Sequence, residues 1–462
     1  MLAPVKEKPF YKALFSIAVP LAAQNMITFA VSLADTVMLG QLSETALSAA
    51  NLANELYFVL MIIGFGITSG STVFAAQYWG KRDTASIRKI ITIMLRITLA
   101  FSILATCVAA FLPETFMRLY SDDEAVIAQG AEYLRIMAFG YLFYSVANAL
   151  FSILRTVRTV KISVIAYLIS LCVNISLNWV LIFGHLGFPA MGVRGAAIAT
   201  VIARFTEFAI AVAYIRFKED KIRYRFREFF GSVKGYSEAF WKIGAPVVLN
   251  ESLWSVGATV LSMVIGHIST QFVAANSIAT VVWQFFWVAM SGMANATAVM
   301  IGNAIGEGDS RELVQRKADT VTYLALGLGL VSCLLMLLVR PFAVQLFAVS
   351  EETRKLAMDL LVTRAILMIS QGATCQSIVG ILRGGGDTRF AMLVDVFFLW
   401  TVSIPLGLCA GFLFKWSPPL VLLALRSDEI IKFLVATVRI QRGKWIRDVT
   451  VTVPGVSECG CV

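Results

Sequence analysis

Long apolar runs, separated by short polar segments, dominate the chain from end to end. Each run holds about 20 residues, the length an α-helix needs to cross roughly 30 Å of hydrocarbon. We predict one transmembrane helix for each of twelve such runs. The predicted helices lie at residues 13–38, 52–78, 90–112, 128–154, 162–184, 192–215, 239–265, 273–302, 318–339, 357–382, 390–414 and 418–438. The last run is the most polar, because it contains Arg426, Asp428, Glu429 and Lys432.

Composition indicates a protein that lies almost wholly in the membrane. Of the 462 residues, 58% are hydrophobic and 15% are charged, whereas soluble domains carry about 25% charged residues. We therefore predict an all-α polytopic membrane protein without a large soluble domain. The first apolar run has no evident cleavage site, so we expect a retained helix rather than a signal peptide. The cysteines show no metal-binding pattern, and Cys459 with Cys461 forms only an isolated C-x-C.

Lysine and arginine residues concentrate in every second connection and in both terminal segments. Because basic loops stay on the cytoplasmic side, we predict a multi-pass protein of the cell (inner) membrane with both termini in the cytoplasm. The longest basic connection is 217–238. The formal net charge of +10 is spread over these loops, which favours contact with anionic lipid of the bilayer over binding of nucleic acid.

The two halves of the chain repeat one another. Ile17-Ala18-Val19-Pro20 matches Ile243-Gly244-Ala245-Pro246, and Gly80 matches Gly306 at the same offset. Each half contains six predicted helices, so both halves enter the membrane in the same direction. We predict two parallel six-helix lobes related by a pseudo-two-fold axis along the membrane normal. The predicted organisation is an N-lobe at 1–216, a basic cytoplasmic linker at 217–238, a C-lobe at 239–440 and a cytoplasmic tail at 441–462.

A polar stripe on the first predicted helix ends in a carboxylate. At 100° per residue, one face of this helix carries Gln24, Thr28, Ser32 and Asp35. An ionisable residue inside a membrane helix is costly and marks a functional site. Asn174, Asn178 and Thr200 are expected at a similar depth in the fifth and sixth helices. One carboxylate with amide and hydroxyl oxygens can bind a proton or Na⁺, so we predict a coupling-ion site at Asp35, Asn174, Asn178 and Thr200.

The second half has a related stripe with the acid at the opposite end. Glu251, Ser255, Thr259 and Ser262 repeat the spacing of the first stripe. We predict a substrate site or a second ionisable site from Glu251, Gln24, Asn250, Ser255, Asp395 and Trp283. For Asp395 two interpretations stay open, which are a position lining the cavity and a salt bridge to a loop arginine. Trp283 lies in an aromatic segment that suits flat cationic molecules, although ordinary packing is the better explanation of any single position in it.

Several segments together resemble the multidrug and toxic compound extrusion (MATE) family. They are Asp35-Thr36-Val37-Met38-Leu39-Gly40 after Pro20, residues 174–184 (NISLNWVLIFG), residues 195–200 (GAAIAT), Asn250-Glu251 after Pro246, and residues 380–388 (GILRGGGDT). The resemblance implies antiport of organic cations against H⁺ or Na⁺, with the family's N-lobe cation site at Asp35, Asn174 and Thr200. Some branches of the family have a second aspartate where this chain has Asn178. That difference removes one negative charge and weakens a Na⁺ site.

The sequence therefore predicts a secondary multidrug efflux antiporter that exports small amphipathic organic cations. No nucleotide-binding motif is present, so an ion gradient has to supply the energy. We expect no cofactor beyond the coupling ion, no metal site, no enzymatic activity and a monomer. One alternative is a lipid-linked oligosaccharide flippase of the same superfamily, which should have a more cationic cavity. A second alternative is an integral-membrane lipid-modifying enzyme, which would need a metal or nucleophile cluster at one membrane face.

Overall fold

A computed structural model describes residues 4–347 and 349–450, and this part of the chain is built of helices without strands. Eleven of its helices are long and apolar enough to cross a membrane. The chain is therefore an all-α, multi-pass membrane protein, as predicted. The main helices are α1 (Lys8–Leu42), α2 (Glu44–Gly80), α3 (Thr84–Phe111), α4 (Pro113–Met117), α5 (Glu124–Thr156), α6 (Lys161–Phe183), α7 (Val193–Phe217), α8 (Tyr236–Ile268), α9 (Thr270–Gly306), α10 (Arg311–Gln345), α11 (Glu351–Cys375), α12 (Thr388–Phe398), α13 (Ile404–Leu408), α14 (Pro418–Ala424) and α15 (Asp428–Gln441).

Three segments of wider, π-helical geometry interrupt the helices of the second half. Gln376–Arg383 continues α11, while Leu399–Ser403 and Cys409–Leu413 flank α13. Such segments are frequent at functional sites, since each one leaves part of the regular helical hydrogen bonding open. In this chain the first of them ends at Arg383, a buried residue described below.

The twelfth predicted span, 418–438, is divided into α14 and α15. The division falls just before Asp428 and Lys432, which are both buried and form an ion pair. A buried charged pair needs hydrogen-bonding partners from neighbouring helices. The polar character of this run therefore reflects a buried charged cluster, and the run is not one continuous apolar helix.

The described helices pack into two compact units. The N-terminal unit consists of Ala23–Ser71 and Asp83–Glu238, and its helix α5 packs against α3 and α7 while α6 packs against α7. The C-terminal unit consists of the residues up to Ala22, Thr72–Arg82 and the residues from Ala239 on, and its helix α11 packs against α9 and α10. This division into units does not test the lobe and linker boundaries given above, so the linker at 217–238 stays a prediction.

Two repeat-equivalent glycines of the C-terminal unit meet where α2 and α9 end. A Cβ atom added at Gly80 would lie 2.6 Å from the Glu307 backbone nitrogen, and one added at Gly306 would overlap the Gln77 carbonyl oxygen. Only glycine permits such a close backbone approach. The end of α2 and the end of α9 therefore form a tight seam.

The segment that follows α15 is bound to this same end of the C-terminal unit. The Trp445 indole is fully buried, and its Nε1–H donates to Gln315 Oε1 at 3.1 Å. Gln77 makes two hydrogen bonds to the segment's backbone, at Arg447 and Val449. The predicted tail at 441–462 is therefore ordered and packed over 441–450. Its remainder, with Cys459 and Cys461, lies outside the described residues.

Candidate functional site

Asp35 lies in the last part of α1, where its carboxylate meets polar side chains of α6 and α7. Asn178 Nδ2 donates to Asp35 Oδ1 at 2.5 Å and also lies 3.1 Å from Asn174 Oδ1. Asn174 Nδ2 in turn donates to Thr200 Oγ1 at 3.3 Å. Asn174 and Asn178 are fully buried, and Thr200 is nearly so. The four residues predicted for the coupling site are therefore brought together in one hydrogen-bonded group.

Helical geometry explains why these residues converge. Asn174 and Asn178 are four residues apart, so they share one face of α6. Thr200 lies on the buried face of α7, which packs against α6. Helix α1 supplies the only carboxylate of the group. Within the group only Asn178 directs an N–H toward Asp35, and this hydrogen bond favours the ionised carboxylate.

Asp35 also opens onto a cavity of about 380 Å³ within the N-terminal unit. The cavity is bounded by apolar, aromatic and polar side chains, among them Asn54, Glu55, Tyr57, Phe58, Met61, Tyr133, Thr200 and Arg204. A volume of this size holds a small organic molecule or a cluster of water molecules. The carboxylate is therefore accessible from a cavity, which a residue that exchanges an ion has to be.

Arg204 places a positive charge on the wall of this cavity. Its Nη1 lies 2.9 Å and 3.0 Å from the two carboxylate oxygens of Glu207, and its guanidinium stacks over the rings of Tyr57 and Tyr144. Both charged residues are buried. No sequence motif singles out Arg204 as part of the site. Its spacing of four from Thr200 on the same helix is the signal that places it beside the site.

The other polar residues of the first stripe bond along their own helix. Thr28 Oγ1 donates to the Gln24 carbonyl at 3.1 Å, and Ser32 Oγ donates to the Thr28 carbonyl at 3.3 Å. The Gln24 side chain is buried, and its Oε1 has no hydrogen-bond partner among the described residues. Within the described part of the chain, Asp35 is therefore the one residue of the stripe whose side chain hydrogen-bonds to another helix.

Glu251 of α8 forms a buried ion pair in the C-terminal unit. Its Oε1 lies 2.6 Å from Arg383 Nη1, and the Arg383 side chain is 3% exposed. Arg383 belongs to the π-helical continuation of α11, which places the guanidinium beside α8. Arg383 thus balances the charge of Glu251. The positions of the two residues in the sequence do not show that they meet.

Asp395 does not pair with a loop arginine, so that interpretation is wrong. Asp395 Oδ1 accepts from Lys432 Nζ at 2.8 Å, and Asp395 Oδ2 accepts from Asn250 Nδ2 at 3.0 Å. Lys432 also lies 2.6 Å from Asp428 Oδ2, and Ser403 Oγ donates to Asp428 Oδ1. Lys432 is the partner of Asp395, because the packing of α15 buries the Lys432 ammonium between Asp395 and Asp428. The predicted residues Asn250 and Asp395 therefore meet in one charged network.

The two remaining predicted residues lie elsewhere in the C-terminal unit. Ser255 of α8 uses its carbonyl to accept a hydrogen bond from Thr259. Trp283 of α9 donates its indole Nε1–H to Gln371 Oε1 at 3.0 Å and stacks against Trp287, with 5.1 Å between ring centroids. No group of three or more His, Cys, Asp and Glu side chains with metal-binding geometry occurs in residues 4–347 and 349–450.

Comparison with known proteins links this architecture to one family. Residues 20–180 and 246–409 match the MatE family model. A probable multidrug resistance protein NorM of Agrobacterium fabrum is 28% identical over 451 residues, which cover 93% of this chain and 96% of the relative. A protein of the same name from Thermotoga maritima is 23% identical, over 99% of this chain and 98% of its own length.

The fold also matches solved structures. The structure of an outward-facing multidrug resistance MATE family transporter of the MOP superfamily superposes with a TM-score of 0.85 at 19% identity. The superposition covers 96% of this chain and 100% of that structure. The superposed residues include both repeat halves, so both halves contribute to this fold.

Proposed function

Since the chain belongs to the MatE family, we propose that it is a multidrug efflux transporter that exports small amphipathic organic cations in exchange for H⁺ or Na⁺. The names of its NorM relatives support the transport of drugs. Asp35 carries the proposal, because a carboxylate at a cavity between membrane helices can bind and release a cation. The termini are proposed to lie in the cytoplasm, and the protein is proposed to act as a monomer and not as an enzyme.

The proposed exchange depends on two states of the Asp35 carboxylate. Ionised Asp35 accepts the hydrogen bond from Asn178 Nδ2 and attracts a cationic substrate into the cavity. Protonated Asp35 carries a donor of its own, so it no longer needs the Asn178 N–H and no longer attracts a cation. Each state favours a different arrangement of the polar groups on α1, α6 and α7, which allows ion binding to shift the conformational equilibrium.

We favour H⁺ over Na⁺ as the coupling ion. Sodium binds to several oxygen ligands, and its affinity rises with the negative charge of the site. Here Asp35 is the only carboxylate of the group, and Asn178 directs its N–H₂ group toward Asp35. The other side-chain oxygens of the group are Asn174 Oδ1, Thr200 Oγ1 and Asn178 Oδ1, and the last is buried without a hydrogen-bond partner among the described residues. This donor set supports protonation of one acid more readily than a high-affinity Na⁺ site.

Dye efflux separates these possibilities. Inverted membrane vesicles that contain the protein are incubated with ethidium, and a pH gradient or a Na⁺ gradient is imposed separately. We expect the pH gradient to drive ethidium accumulation above the level of vesicles without the protein. If neither gradient drives accumulation, the antiport proposal is wrong. A response to the Na⁺ gradient alone would assign Na⁺ as the coupling ion.

A further inference from the structure

A groove of about 370 Å³ lies on the C-terminal unit where α12 packs against α15. Its apolar part consists of Phe390 of α12 and of Leu434, Val435 and Val438 of α15. Residues three or four apart share one face of a helix, so the three α15 residues form a strip along the helix axis. Leu434 and Val438 are each more than half exposed. Such a strip on the outside of a membrane protein is suited to contact with the hydrocarbon chains of lipid.

The other part of the groove, one turn further along α15, is basic. Arg439 and Arg442 continue the strip at the end of the helix, and Lys444 follows after the left-handed turn at Gly443. The Lys444 backbone is held beside the groove, since the next residue, Trp445, is fully buried. The groove is thus apolar along its length and cationic at one end. A phospholipid has the complementary division, with hydrocarbon chains at one end and a phosphate at the other.

The cations at this end of the groove outnumber the carboxylates beside them. Arg439 Nε lies 2.8 Å from Asp387 Oδ2, but Arg447 Nη2 lies 3.0 Å from Asp387 Oδ1, so one acid serves two arginines. In the described part of the chain, neither Arg442 nor Lys444 has a carboxylate within ion-pair distance. Both side chains are exposed. Four cations with one carboxylate between them leave an excess of positive charge, which attracts an anion.

The Arg439 guanidinium is fixed in place before any ligand binds. Its Nε is bonded to the buried Asp387 carboxylate, and its Cζ lies 4.7 Å from the ring centroid of Phe390. Within residues 4–347 and 349–450, its two terminal amino groups donate to no acceptor. Because a planar guanidinium presents several N–H groups in a fixed geometry that matches a phosphate, these amino groups are available to bind one at the edge of the groove.

We propose that this groove binds one anionic phospholipid, with its phosphodiester at Arg439, Arg442 and Lys444 and an acyl chain along Leu434 and Val438. Basic pockets between membrane helices on the cytoplasmic side are suited to anionic headgroups, and the C-terminal segment is proposed above to lie on that side. A phosphate without acyl chains would leave the apolar strip uncovered. The groove belongs to the C-terminal unit and the Asp35 group to the N-terminal unit, so this inference does not depend on the proposed transport function.

Native mass spectrometry of the purified full-length protein in detergent tests the site. Phosphatidylglycerol is titrated, and phosphatidylcholine with the same acyl chains serves as the lipid without net charge. We expect the wild-type protein to bind the first phosphatidylglycerol about tenfold or more tightly than the first phosphatidylcholine. In Arg442→Gln combined with Lys444→Gln, this preference should fall by about tenfold, because charged hydrogen bonds to the phosphodiester are lost.

A second double variant separates this site from a general effect of net charge. Arg227→Gln combined with Lys234→Gln removes the same two types of cation from exposed positions of the basic connection 217–238. The preference for phosphatidylglycerol should then stay within about twofold of the wild-type value. An equal loss in both double variants would assign the preference to net charge and overturn the site. An unchanged preference in Arg442→Gln with Lys444→Gln would overturn it as well.

The apolar part of the groove is tested by filling it. Val438→Trp places an indole on the strip and leaves every cation in place, so it should also lower the affinity for phosphatidylglycerol. Leu338→Trp introduces the same side chain at an exposed apolar residue of α10 and should leave that affinity unchanged. Glycerophosphoglycerol, the headgroup without acyl chains, should not displace phosphatidylglycerol at equal concentration. Displacement by this headgroup, or wild-type affinity in Val438→Trp, would overturn the assignment to lipid.

Discussion

The groups that form the hydrogen-bonded cluster with Asp35 are neutral, while the charged residues Glu55 and Arg204 lie on the wall of the adjoining cavity. The direct partner of Asp35 is the Asn178 amide, and Asn174 with Thr200 completes the hydrogen-bonded group. The single negative charge of the group belongs to Asp35. A proton neutralises that charge fully, whereas Na⁺ would need further oxygen ligands from the same residues.

Asn178→Asp adds a second carboxylate beside Asp35. We expect the variant to gain Na⁺ binding, because a second negative charge replaces an N–H donor at the same place. The melting temperature of the purified variant should rise with NaCl but not with KCl at equal ionic strength, as expected for a ligand that binds the folded state. A wild-type protein with the same Na⁺-specific rise would contradict the charge argument.

For the Glu251–Arg383 pair, we predict that removal of one charge lowers stability much more than removal of both. Arg383→Gln leaves a largely buried carboxylate without its cation, and the loss of one partner of a buried pair costs about 3–5 kcal/mol. Glu251→Gln combined with Arg383→Gln removes both charges and should recover most of the lost stability. Thermal melts of these two variants and of the wild-type protein measure this. A double variant less stable than Arg383→Gln would show that the two residues do not act as a pair.

Individual helices differ in how far their sequence predicts their contacts. In α1, the periodic stripe identified Asp35, and in α6 the i, i+4 spacing identified Asn174 with Asn178. In α15, by contrast, the sequence shows Lys432 only as one of the charged residues that make the last run polar, because hydropathy does not show which side chains meet. Its partner Asp395 lies 37 residues earlier, and only packing brings the two together.

The same limitation applies to the buried arginines. Arg204, Arg364 and Arg383 lie inside or at the end of apolar runs, and the sequence does not show which group each of them contacts. Arg383 pairs with a glutamate of α8, and Arg364 bonds to neutral groups of α9. Helix positions and faces follow from periodicity, whereas the pairing of charges across helices follows from tertiary packing.

The close contact between the ends of α2 and α9 is expected to contribute to stability. Gly306→Ala places a methyl group against the Gln77 carbonyl and should force the two helices apart, at a cost of about 1–3 kcal/mol. We expect a lower melting temperature. Gly327→Ala is the matched control, since a Cβ at that helical glycine contacts nothing within 4 Å. If the two variants melt alike, the seam does not contribute to stability.

At the scale of the whole molecule, the segment after α15 ties distant parts of the C-terminal unit together. Arg447 reaches Asp387 at 3.0 Å, and Lys81 reaches Asp448 at 2.7 Å. Burial opposes ionisation of Asp448, but hydrogen bonds from Lys81 and Thr450 outweigh it and lower its pKa. This contact is therefore complete at neutral pH and weakens as the pH falls below about 4.

Trp445→Ala tests whether that segment is bound as a unit. Removal of the buried indole should release the backbone hydrogen bonds that Gln77 makes to Arg447 and Val449. We expect amide hydrogen exchange over residues 446–450 to become about as fast as in an unprotected peptide. Trp241→Ala, at an exposed tryptophan, serves as the control. Retained protection in Trp445→Ala would show that the indole does not hold the segment.

The most direct test of the central claim is gradient-driven efflux by Asp35→Asn. Asparagine keeps the size and hydrogen-bonding capacity of the side chain and removes its charge and its ability to bind a proton. The vesicles contain equal amounts of variant and wild-type protein, and the two proteins are first shown to melt at the same temperature. Under either gradient, we predict that Asp35→Asn vesicles accumulate no more ethidium than vesicles without the protein. Accumulation at the wild-type rate would contradict the assignment of Asp35 as the site where the coupling ion binds.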